Sequence, residues 1–525
     1  MTRRPTSPRT APGTADGAQR CAPGRDDGGR CTVPLPDNGV AWPPPQLAKH
    51  YAEIKVDDAW YSGDHAKLTA VYRDGPARRD GRRRLWGRDR QPRPNVRDQR
   101  LHIPLAGDIA SASADLLFAE PPELTVTDAG TQDRLDELAE SDGIANTLLE
   151  AAEVAAALGS VYLRVTWDRS LADRPLLTSV HPDAAVPEFR WGRLSAVTFW
   201  RELTSTSATV WRHLERHEPG RILHALYEGS ADNLGVRVPL TEHVEVADLA
   251  VSLGPEGDAI ETGIEQLTAA YCPNIRPNRK NRGSVFGRSD FAVPIYDLFD
   301  ALDTTWTSWI RDLRLARARL LVPDGYLRDH GPGQGASFDD DREIFQLLNV
   351  PPTEQGGNQI TLSQFAIRVD EHERTSTAIT RQAVQSAGYS VATFGLGDQG
   401  AAVTATEIRA RERRSMTTRG KKVRYWSPPV ADMLHVMLLL DRQFFTPRLV
   451  PERPTVAFGD SISEDASSLA QTLTLLQQAQ AVSVLTKVRM LHPEWDSVAV
   501  QEEVERILVE SGVAVPDPMQ AGTLV

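Results

Sequence analysis

Hydrophobic and polar positions follow two different patterns along the chain, and the pattern changes near residue 290. Before that point, helical spacing at 105–118 and at 131–158, with an end at Gly159, gives way to short runs rich in valine, tryptophan, tyrosine and threonine. Those runs have the length and composition of β-strands. They are Ser160–Trp167, Leu176–His181, Ala196–Glu202, Ala208–Leu214 and Arg221–Tyr227. The first half is therefore predicted to be a mixed α/β body and not a doubly wound βαβ series.

The second half predicts long helices separated by a small insertion. Apolar residues recur in steps of three and four over 292–321, which is the spacing of one helical face, and Ser289 and Asp290 are candidate N-caps. An insertion rich in glycine, proline and aspartate follows at 323–360 and contains one strand-like run, Ile344–Val350. The apolar face of the long helix needs a partner, so the sequence favours an oligomer.

Two further helices flank a loop that contains three glycines. A helix is predicted from Asp370 to Gly388, opened by a capping box, and the loop spans 389–403. A second capping box then opens a long helix over 404–445. Pro428-Pro429 lies inside this helix and is expected to kink it.

The C-terminal region is predicted to be helical again. Ser461-x-x-Glu464 is expected to cap a helix that continues to about Leu485. Pro493, at a first-turn position, is expected to begin another helix that ends near Gly512.

Composition narrows the possible classes of function. The 525 residues carry 59 Lys+Arg against 71 Asp+Glu, a net charge of −12 that argues against a uniformly basic nucleic-acid binder. Cys21, Cys31 and Cys272 lie far apart, which excludes a disulfide scaffold and a cysteine zinc site. No apolar run approaches the roughly 18–20 residues of a membrane span, and no apolar core follows the N-terminal arginines as in a secretory signal.

Three segments depart from the average composition. Residues 1–45 hold nine prolines and six glycines and are expected to be a disordered tail. Residues 73–100 hold eleven arginines against four aspartates, which predicts a basic loop that contacts DNA or stays solvated. Residues 405–426 hold eight basic residues against two glutamates, which indicates a helix that meets phosphates or acidic partners, or a solvated or ion-pairing face between subunits.

Two glycine motifs resemble nucleotide-binding sequences. Gly395-Leu-Gly397-Asp-Gln-Gly400 matches GxGxxG after a possible strand, Tyr389–Phe394, but it has no βαβ unit around it and no acidic residue about 20 positions later. Gly420-Lys421-Lys422 lacks the first glycine and the final Ser or Thr of a P-loop. A flexible glycine loop is therefore favoured over a nucleotide site.

No residue set supports catalysis or a metal centre. Asp339-Asp340-Asp341 are consecutive and do not converge as the ligands of a calcium loop do. His213 and His217 lie four apart in a strand-like run beside two arginines and are expected at the surface. HExxH and GxSxG motifs are missing from the sequence. We expect no enzyme activity, no metal and no cofactor.

Three segments resemble the portal proteins of tailed, siphovirus-type bacteriophages. They are 101–121 (LHIPLAGDIASASADLLFAEP), 289–323 and 364–422, and in the last of these TFGL…TATEIRARE after AGYS is the most specific part. The similarity covers about residues 46–512. It implies an α+β portal fold and a ring, usually of twelve subunits, at one capsid vertex.

The resemblance also implies a division of the chain into the parts of a portal subunit. These are a wing (46–290), a stem helix (291–322), a clip (323–366), a second stem helix (367–388), a tunnel loop (389–403), a kinked long helix returning to the wing (404–460) and a crown (461–525). The DNA-facing residues of the tunnel loop would be Phe394, Gly395, Leu396, Gly397, Asp398, Gln399 and Gly400.

The implied function is a channel for genomic double-stranded DNA during packaging and ejection. The partners implied are further copies of the chain, terminase, the head–tail adaptor, and scaffold and capsid proteins, with no membrane. Assembly would take place in the host cytoplasm and the protein would end in the virion. The alternatives are another capsid or baseplate protein and, less favoured, a nucleotide-binding enzyme that uses the GxGxxG loop.

Overall fold

A computed structural model of the protein describes most of the chain between residues 35 and 511. The described residues are 35–74, 101–204, 209–253, 259–292, 294–316, 319–321, 361–363, 367–396, 405–459, 466–479, 482–492, 495 and 497–511. Among them, no helix is long and apolar enough to cross a membrane. The predicted arginine loop from residue 75 to 100, the strand-like run 344–350 and Asp339-Asp340-Asp341 lie outside the described residues.

Helices and strands are both abundant, as the sequence predicts. The helices are α1 (Ala48–Ser62), α2 (His65–Asp74), α3 (Leu105–Phe118), α4 (Ala129–Ser141), α5 (Ile144–Leu158), α6 (Val244–Ser252), α7 (Ile295–Leu315), α8 (Val369–Ala387), α9 (Ala405–Phe444), α10 (Ala466–Gln478), α11 (Val484–Leu491) and α12 (Ser497–Glu510). The strands are β1 (Glu123–Thr125), β2 (Ser160–Trp167), β3 (Pro175–Val180), β4 (Ala185–Arg190), β5 (Arg193–Glu202), β6 (Val210–Glu218), β7 (Arg221–Ser230), β8 (Asn233–Val238), β9 (Ala259–Glu261), β10 (Ala269–Pro273), β11 (Arg319–Leu321), β12 (Thr361–Ser363) and β13 (Thr455–Ala457).

Every strand pair among the described residues is antiparallel. The largest sheet has the order β4-β5-β6-β7-β8, with β9 also paired to β7, and a second sheet has the order β10-β2-β3. Two short ladders join distant segments, β1 with β13 and β11 with β12. This arrangement confirms the mixed α and β composition of the first half and the lack of parallel βαβ units among these strands.

A helical core joins the first half of the chain to the second. In α3, Ala106, Ala110 and Ala114 recur every four residues and are buried, and α5 buries Ala151 and Ala155. Such small side chains let two helices approach closely, and α3 packs against α5. The middle of α9 completes this core from the other end of the sequence, and Trp426 is buried in it with its ring 5.2 Å from that of Phe118.

Packing begins before residue 46, inside the segment predicted to be a tail. The backbone N–H of Gly39 donates to the carbonyl of Gly235, and that of Leu234 donates to Val40, so this segment lies along β8. Trp42 is buried and its ring lies 5.8 Å from that of Trp200. A single buried tryptophan provides the apolar burial that the proline-rich composition around it does not suggest.

Several predicted boundaries are wrong in the first half and around the first long helix. The helix predicted over 131–158 is two helices, α4 and α5, separated at Asp142-Gly143. The helix predicted over 292–321 is shorter, because α7 begins at Ile295 and residues 319–321 form β11. Ser289 and Asp290 are not its N-caps. Both are buried, and they bond to other parts of the chain.

Boundaries in the last third differ as well. Asp370 is not an N-cap, because α8 begins at Val369 and Asp370 lies in its first turn, where an acidic side chain complements the helix dipole. The helix predicted to continue to Leu485 ends at Gln478. Ser483 instead caps α11, since its hydroxyl accepts a hydrogen bond from the backbone N–H of Thr486. Both predicted capping boxes further along, at Thr404 and at Ser461, begin outside the described residues.

The long helix α9 spans 40 residues, close to the predicted 404–445. At about 1.5 Å per residue it is about 60 Å long. Pro428 and Pro429 lie inside it and the helix continues beyond both, while Arg453 donates a hydrogen bond to the carbonyl of Pro428. The kink expected at these prolines stays a prediction.

Gly159 ends α5 at a point where its backbone lies close to that of Arg288, so a larger residue there should destabilise the protein. Its φ is +89°, and a Cβ there would lie 2.9 Å from the backbone carbonyl carbon of Arg288. We expect Gly159→Ala to lower the free energy of unfolding by about 2 kcal/mol in chemical denaturation. Gly192→Ala is the control, since its φ is +76° in open space, and it should cost about 1 kcal/mol. Equal losses would show that the close approach has no effect.

Candidate channel loop and its buried anchor

The predicted DNA-facing loop begins as an ordered turn directly after α8. The backbone N–H of Tyr389 donates to Val384, which closes the helix end, and residues 392–394 form one turn of 3-10 helix instead of the predicted strand. Phe394 and Leu396 are half-buried, and Gly395 is exposed with a φ of +68°. The remaining predicted site residues, Gly397, Asp398, Gln399 and Gly400, lie outside the described residues.

A buried ion pair fixes the start of this turn to the body. Asp290 and Lys422 have side chains that are 0% and 1% exposed, and their Oδ2 and Nζ atoms lie 2.6 Å apart. The hydroxyl of Tyr389 donates to the same Asp290 oxygen at 2.7 Å, and the amide of Asn274 donates to the other carboxylate oxygen at 2.8 Å. Lys422 also donates to the hydroxyl of Ser113. We call these five residues the Asp290 network.

The Asp290 network connects four regions that are far apart in sequence. Ser113 belongs to α3, Asn274 follows β10, Tyr389 begins the turn after α8, and Lys422 lies in α9. Burial lowers the pKa of Lys422, although the Asp290 carboxylate opposes this shift. Burial also raises the pKa of Tyr389 well above its ordinary value, and Asp290 raises it further. A buried charge pair is tolerated only when further hydrogen bonds satisfy both groups, which is the arrangement here.

A second set of contacts fixes the rest of the turn to α9. The hydroxyl of Ser415, on a fully buried side chain, accepts a hydrogen bond from the backbone N–H of Ser390 at 2.8 Å and lies 2.8 Å from the hydroxyl of Thr393. The hydroxyl of Ser390 donates to the carbonyl of Arg411. Residues 389–396 are therefore held on the first part of α9 by buried polar contacts.

Helices α7 and α8 run antiparallel and hold each other through a charged contact. Arg368 and His372 both donate to the Asp312 carboxylate, at 2.7 and 3.0 Å. These bonds lower the pKa of Asp312, with His372 as the larger cause. The ring of Trp309 stacks on His372 at 5.9 Å. Beyond this contact, β11 and β12 form the base of the insertion that connects the two helices.

The basic segment of α9 presents most of its charge to solvent. Arg413, Arg414, Lys421 and Arg424 are exposed, whereas Lys422 is buried in the Asp290 network. Arg414 also donates to the carbonyl of Gln385 at the end of α8. The solvated face that the sequence allowed is therefore present on this part of α9, with two exceptions: Lys422 is buried, and Arg419 is half-buried and donates to the carbonyls of Leu116 and Gly459.

The predicted surface position of His213 and His217 is wrong. In a strand, residues four apart share a face, and this face of β6 is covered, so both side chains are buried. His213 stacks on His224 of β7, with ring nitrogens 3.3 Å apart. His217 lies 2.9 Å from the Glu215 carboxylate, which also pairs with Arg164 at 2.7 Å.

The pKa values of the paired His213 and His224 are far below the ordinary value of histidine. Burial lowers the pKa of both His213 and His224 to about 4; His224 further lowers that of His213, and Glu215 opposes both shifts. Burial would raise the pKa of Glu215, but Arg164 and His217 bring it well below its ordinary value. Among the described residues, no group of three or more His, Cys, Asp or Glu side chains is arranged to hold a metal ion.

Of the two glycine motifs, the structure describes Gly395 and Gly420, and neither lies in a parallel βαβ unit. Gly395 ends a 3-10 turn that no parallel βαβ unit supports, and Gly420 lies in the middle of α9. The Asp290 network was not predicted from the sequence. The sequence nevertheless contains a signal for this network. Ser415 and Lys422 lie on the same face of α9 as Trp426 and Val430, which are buried in the core. Polar side chains on such a face indicate a buried network.

Comparison with known proteins places the chain in a family. A search of curated proteins finds no match. Similar solved chains belong to the neck of an empty GTA particle computed with C6 symmetry (13% identity, 74% of this chain and 90% of that chain, TM-score 0.41) and to the virion of a native gene transfer agent (GTA) particle (13% identity, 74% and 89%, TM-score 0.38). The sequence model described as "Phage portal protein, SPP1 Gp6-like" matches residues 45–516, and the chain belongs to this family of phage portal proteins.

Proposed function

We propose that the protein assembles into a ring whose centre is the channel for double-stranded DNA during packaging and ejection. Membership of the portal family makes it a structural component of the virion at the capsid vertex. The proposal adds the ring, usually of twelve copies in this family, the passage of DNA and assembly in the host cytoplasm. It assigns no enzymatic step to the chain.

The observation that carries this proposal is the way α8, the turn 389–396 and α9 are joined. Buried contacts of Ser390 and Tyr389 hold the start of the turn on α9. The chain between residues 396 and 405 therefore leaves from a fixed base and returns to the start of a 40-residue helix. A loop that guides DNA needs such a base, because its tip can then change shape while the helices that support it stay in place.

The proposed role as a portal subunit also divides the chain into structural parts. We assign 46–290 to the wing, 291–322 and 367–388 to the stem, 389–403 to the tunnel loop, 404–460 to the helix that returns to the wing, and 461–525 to the crown. The antiparallel packing of α7 and α8 is compatible with a two-helix stem. The insertion 323–366, which begins and ends at the β11–β12 ladder, is assigned to the clip and to contact with terminase and the head–tail adaptor. Scaffold and capsid proteins would contact the outside of the ring.

The charge of the chain is compatible with a channel that lets DNA slide. Each phosphate that a protein neutralises adds affinity and would hold the DNA in place. A subunit with a net charge of −12, repeated around a ring, forms an acidic body that repels the duplex from its wall. A ring whose channel is lined mainly by basic side chains would contradict this part of the proposal.

The loop glycines provide the direct experiment. A β-branched residue disfavours φ values near +68°, the value at Gly395, by about 1–2 kcal/mol, which reduces the population of such a conformation about tenfold. We expect Gly395→Val, Gly397→Val and Gly400→Val to lower the yield of DNA-filled heads while rings still assemble. DNA content of purified heads and negative-stain images of the rings measure the two effects separately.

Gly420→Val is the matched control for this experiment. Gly420 lies inside α9 with open space around its Cα, so valine is tolerated there and filled heads should form normally. Loss of ring assembly before any loss of DNA in the loop variants would make the loop structural and contradict its role in the channel. Images of the purified protein without rings would contradict the proposed function as a whole.

A further inference from the structure

The C-terminal helices α10, α11 and α12 bury very little apolar surface of their own. Among the side chains described in 466–511, the buried hydrophobic ones are Val488 and Val500. The core that unites α1–α5 with α7–α9 contains none of them. The large apolar side chains left exposed there are Leu475, Leu485, Met490, Leu491, Trp495, Val498 and Val509. A segment with so small a core needs a partner to cover these side chains.

Two exposed faces in this segment have opposite charge. On α12, Val498, Glu502, Glu505 and Val509 follow steps of four, three and four and therefore share one face, with acidic residues between apolar ends. On α11, Leu485 and Arg489 are four residues apart and share one exposed, positively charged face, whereas Lys487 lies on the other side of the helix and donates to Gln477. In the described part of the chain, no ion pair joins Arg489 to Glu502 or Glu505.

We infer that α11 of one copy packs against α12 of the next copy, with the Leu485–Arg489 face against the Val498–Glu502–Glu505–Val509 face. A head-to-tail contact that closes into a ring needs two different, complementary patches on each chain, and these helices supply both. The acidic face of α12 also makes DNA an unsuitable occupant, because phosphates would be repelled. The inference rests on the proposed ring and identifies one contact between its subunits.

The experiment uses two differently tagged full-length chains with Cys21→Ser and Cys31→Ser, so that the buried Cys272 is the remaining native thiol. One chain carries Leu485→Cys and the other carries Val498→Cys or Val509→Cys, which tests both helix directions. After the chains are mixed and assembled, a disulfide between the two tags on a non-reducing gel reports a contact between copies. We expect this product with at least one of the two cysteine positions on α12.

Charge reversal then tests whether the two faces recognise each other. Arg489→Glu on the first chain should lower the yield of the mixed disulfide about fivefold, because like charges then face each other. Glu502→Lys with Glu505→Lys on the second chain should restore it. The control for this rescue is Asp133→Lys with Glu140→Lys on α4, which makes the same change in net charge at exposed positions and should restore nothing.

The outcomes separate this inference from the proposed function. Rings that form without a mixed disulfide, or with one that is insensitive to both charge changes, would overturn the α11–α12 contact and leave the ring in place. Among the causes of that result would be coverage of the apolar faces by residues 512–525 of the same chain. The lack of any ring would contradict the proposed function itself.

Discussion

Lys422→Met is expected to lower the free energy of unfolding by about 3–5 kcal/mol, whereas Lys421→Met should change it by less than about 0.5 kcal/mol. The two lysines are neighbours on α9, but Lys421 is exposed and Lys422 is buried against Asp290. Removal of the buried ammonium leaves an uncompensated carboxylate in the core, which costs more than the lost contact. Chemical denaturation of the two variants in parallel measures the difference.

A second substitution distinguishes an unpaired charge from poor packing. Asp290→Asn removes the negative charge but leaves a carbonyl oxygen that can accept a hydrogen bond from Tyr389. The double variant Asp290→Asn with Lys422→Met should therefore be more stable than Lys422→Met alone, with a coupling of at least about 1 kcal/mol. Additive losses would show that the two side chains stabilise the protein independently and that the ion pair is not the cause.

Acidification is expected to destabilise the protein through the buried histidine pair. The pKa of His213 and of His224 is about 4 in the folded protein, against about 6.5 in the unfolded chain. Between these values the unfolded chain binds protons that the folded protein does not, so stability is present above pH 6.5 and is lost as the pH falls towards 4. Each histidine then contributes a loss of about 3 kcal/mol over this interval.

His213→Phe with His224→Phe tests this pH dependence. Phenylalanine retains a ring at both positions of the stack but binds no proton, so the fall in the free energy of unfolding between pH 6.5 and 4 should become about 6 kcal/mol smaller. The exposed His65 provides the control, since His65→Phe should leave the pH profile unchanged. A double variant with the profile of the original protein would show that other groups, such as the half-buried His50 with its lowered pKa, cause the acid sensitivity.

The local pattern of hydrophobic and polar residues was sufficient to predict those helices and strands whose extent is set by their own residues. The helix 105–118 and the strand 160–167 are found at the predicted residues, and α9 agrees with its predicted range to within one residue at each end. Such segments have a clear hydrophobic period and are bounded by residues that end a helix, such as Gly159 after α5. The family assignment also rests on contiguous residues, and the match over 45–516 agrees with it.

Features that depend on distant segments could not be predicted in this way. Ser289 and Asp290 are residue types that commonly cap helices, which is why they were predicted to do so. Asp290 becomes the centre of a buried network only because Tyr389 and Lys422, which are distant in sequence, lie against it. His213 has an exposed-strand pattern beside Arg212, and it is buried because the face of β6 that it shares with His217 is covered. For the loop 389–403, the sequence gives the glycines but not the hydroxyl of Ser415, which holds its first half on α9.

The β1–β13 ladder has a consequence for how the protein is made. Glu123 of β1 pairs with Ala457 of β13, and the core beside it needs Trp426 from α9. A ribosome that adds about 5–20 residues per second needs roughly 17–67 seconds to travel from one strand to the other. During that time α3, α4 and α5 expose the apolar surface that α9 later covers. The nascent chain is therefore expected to depend on chaperones until translation has passed residue 457.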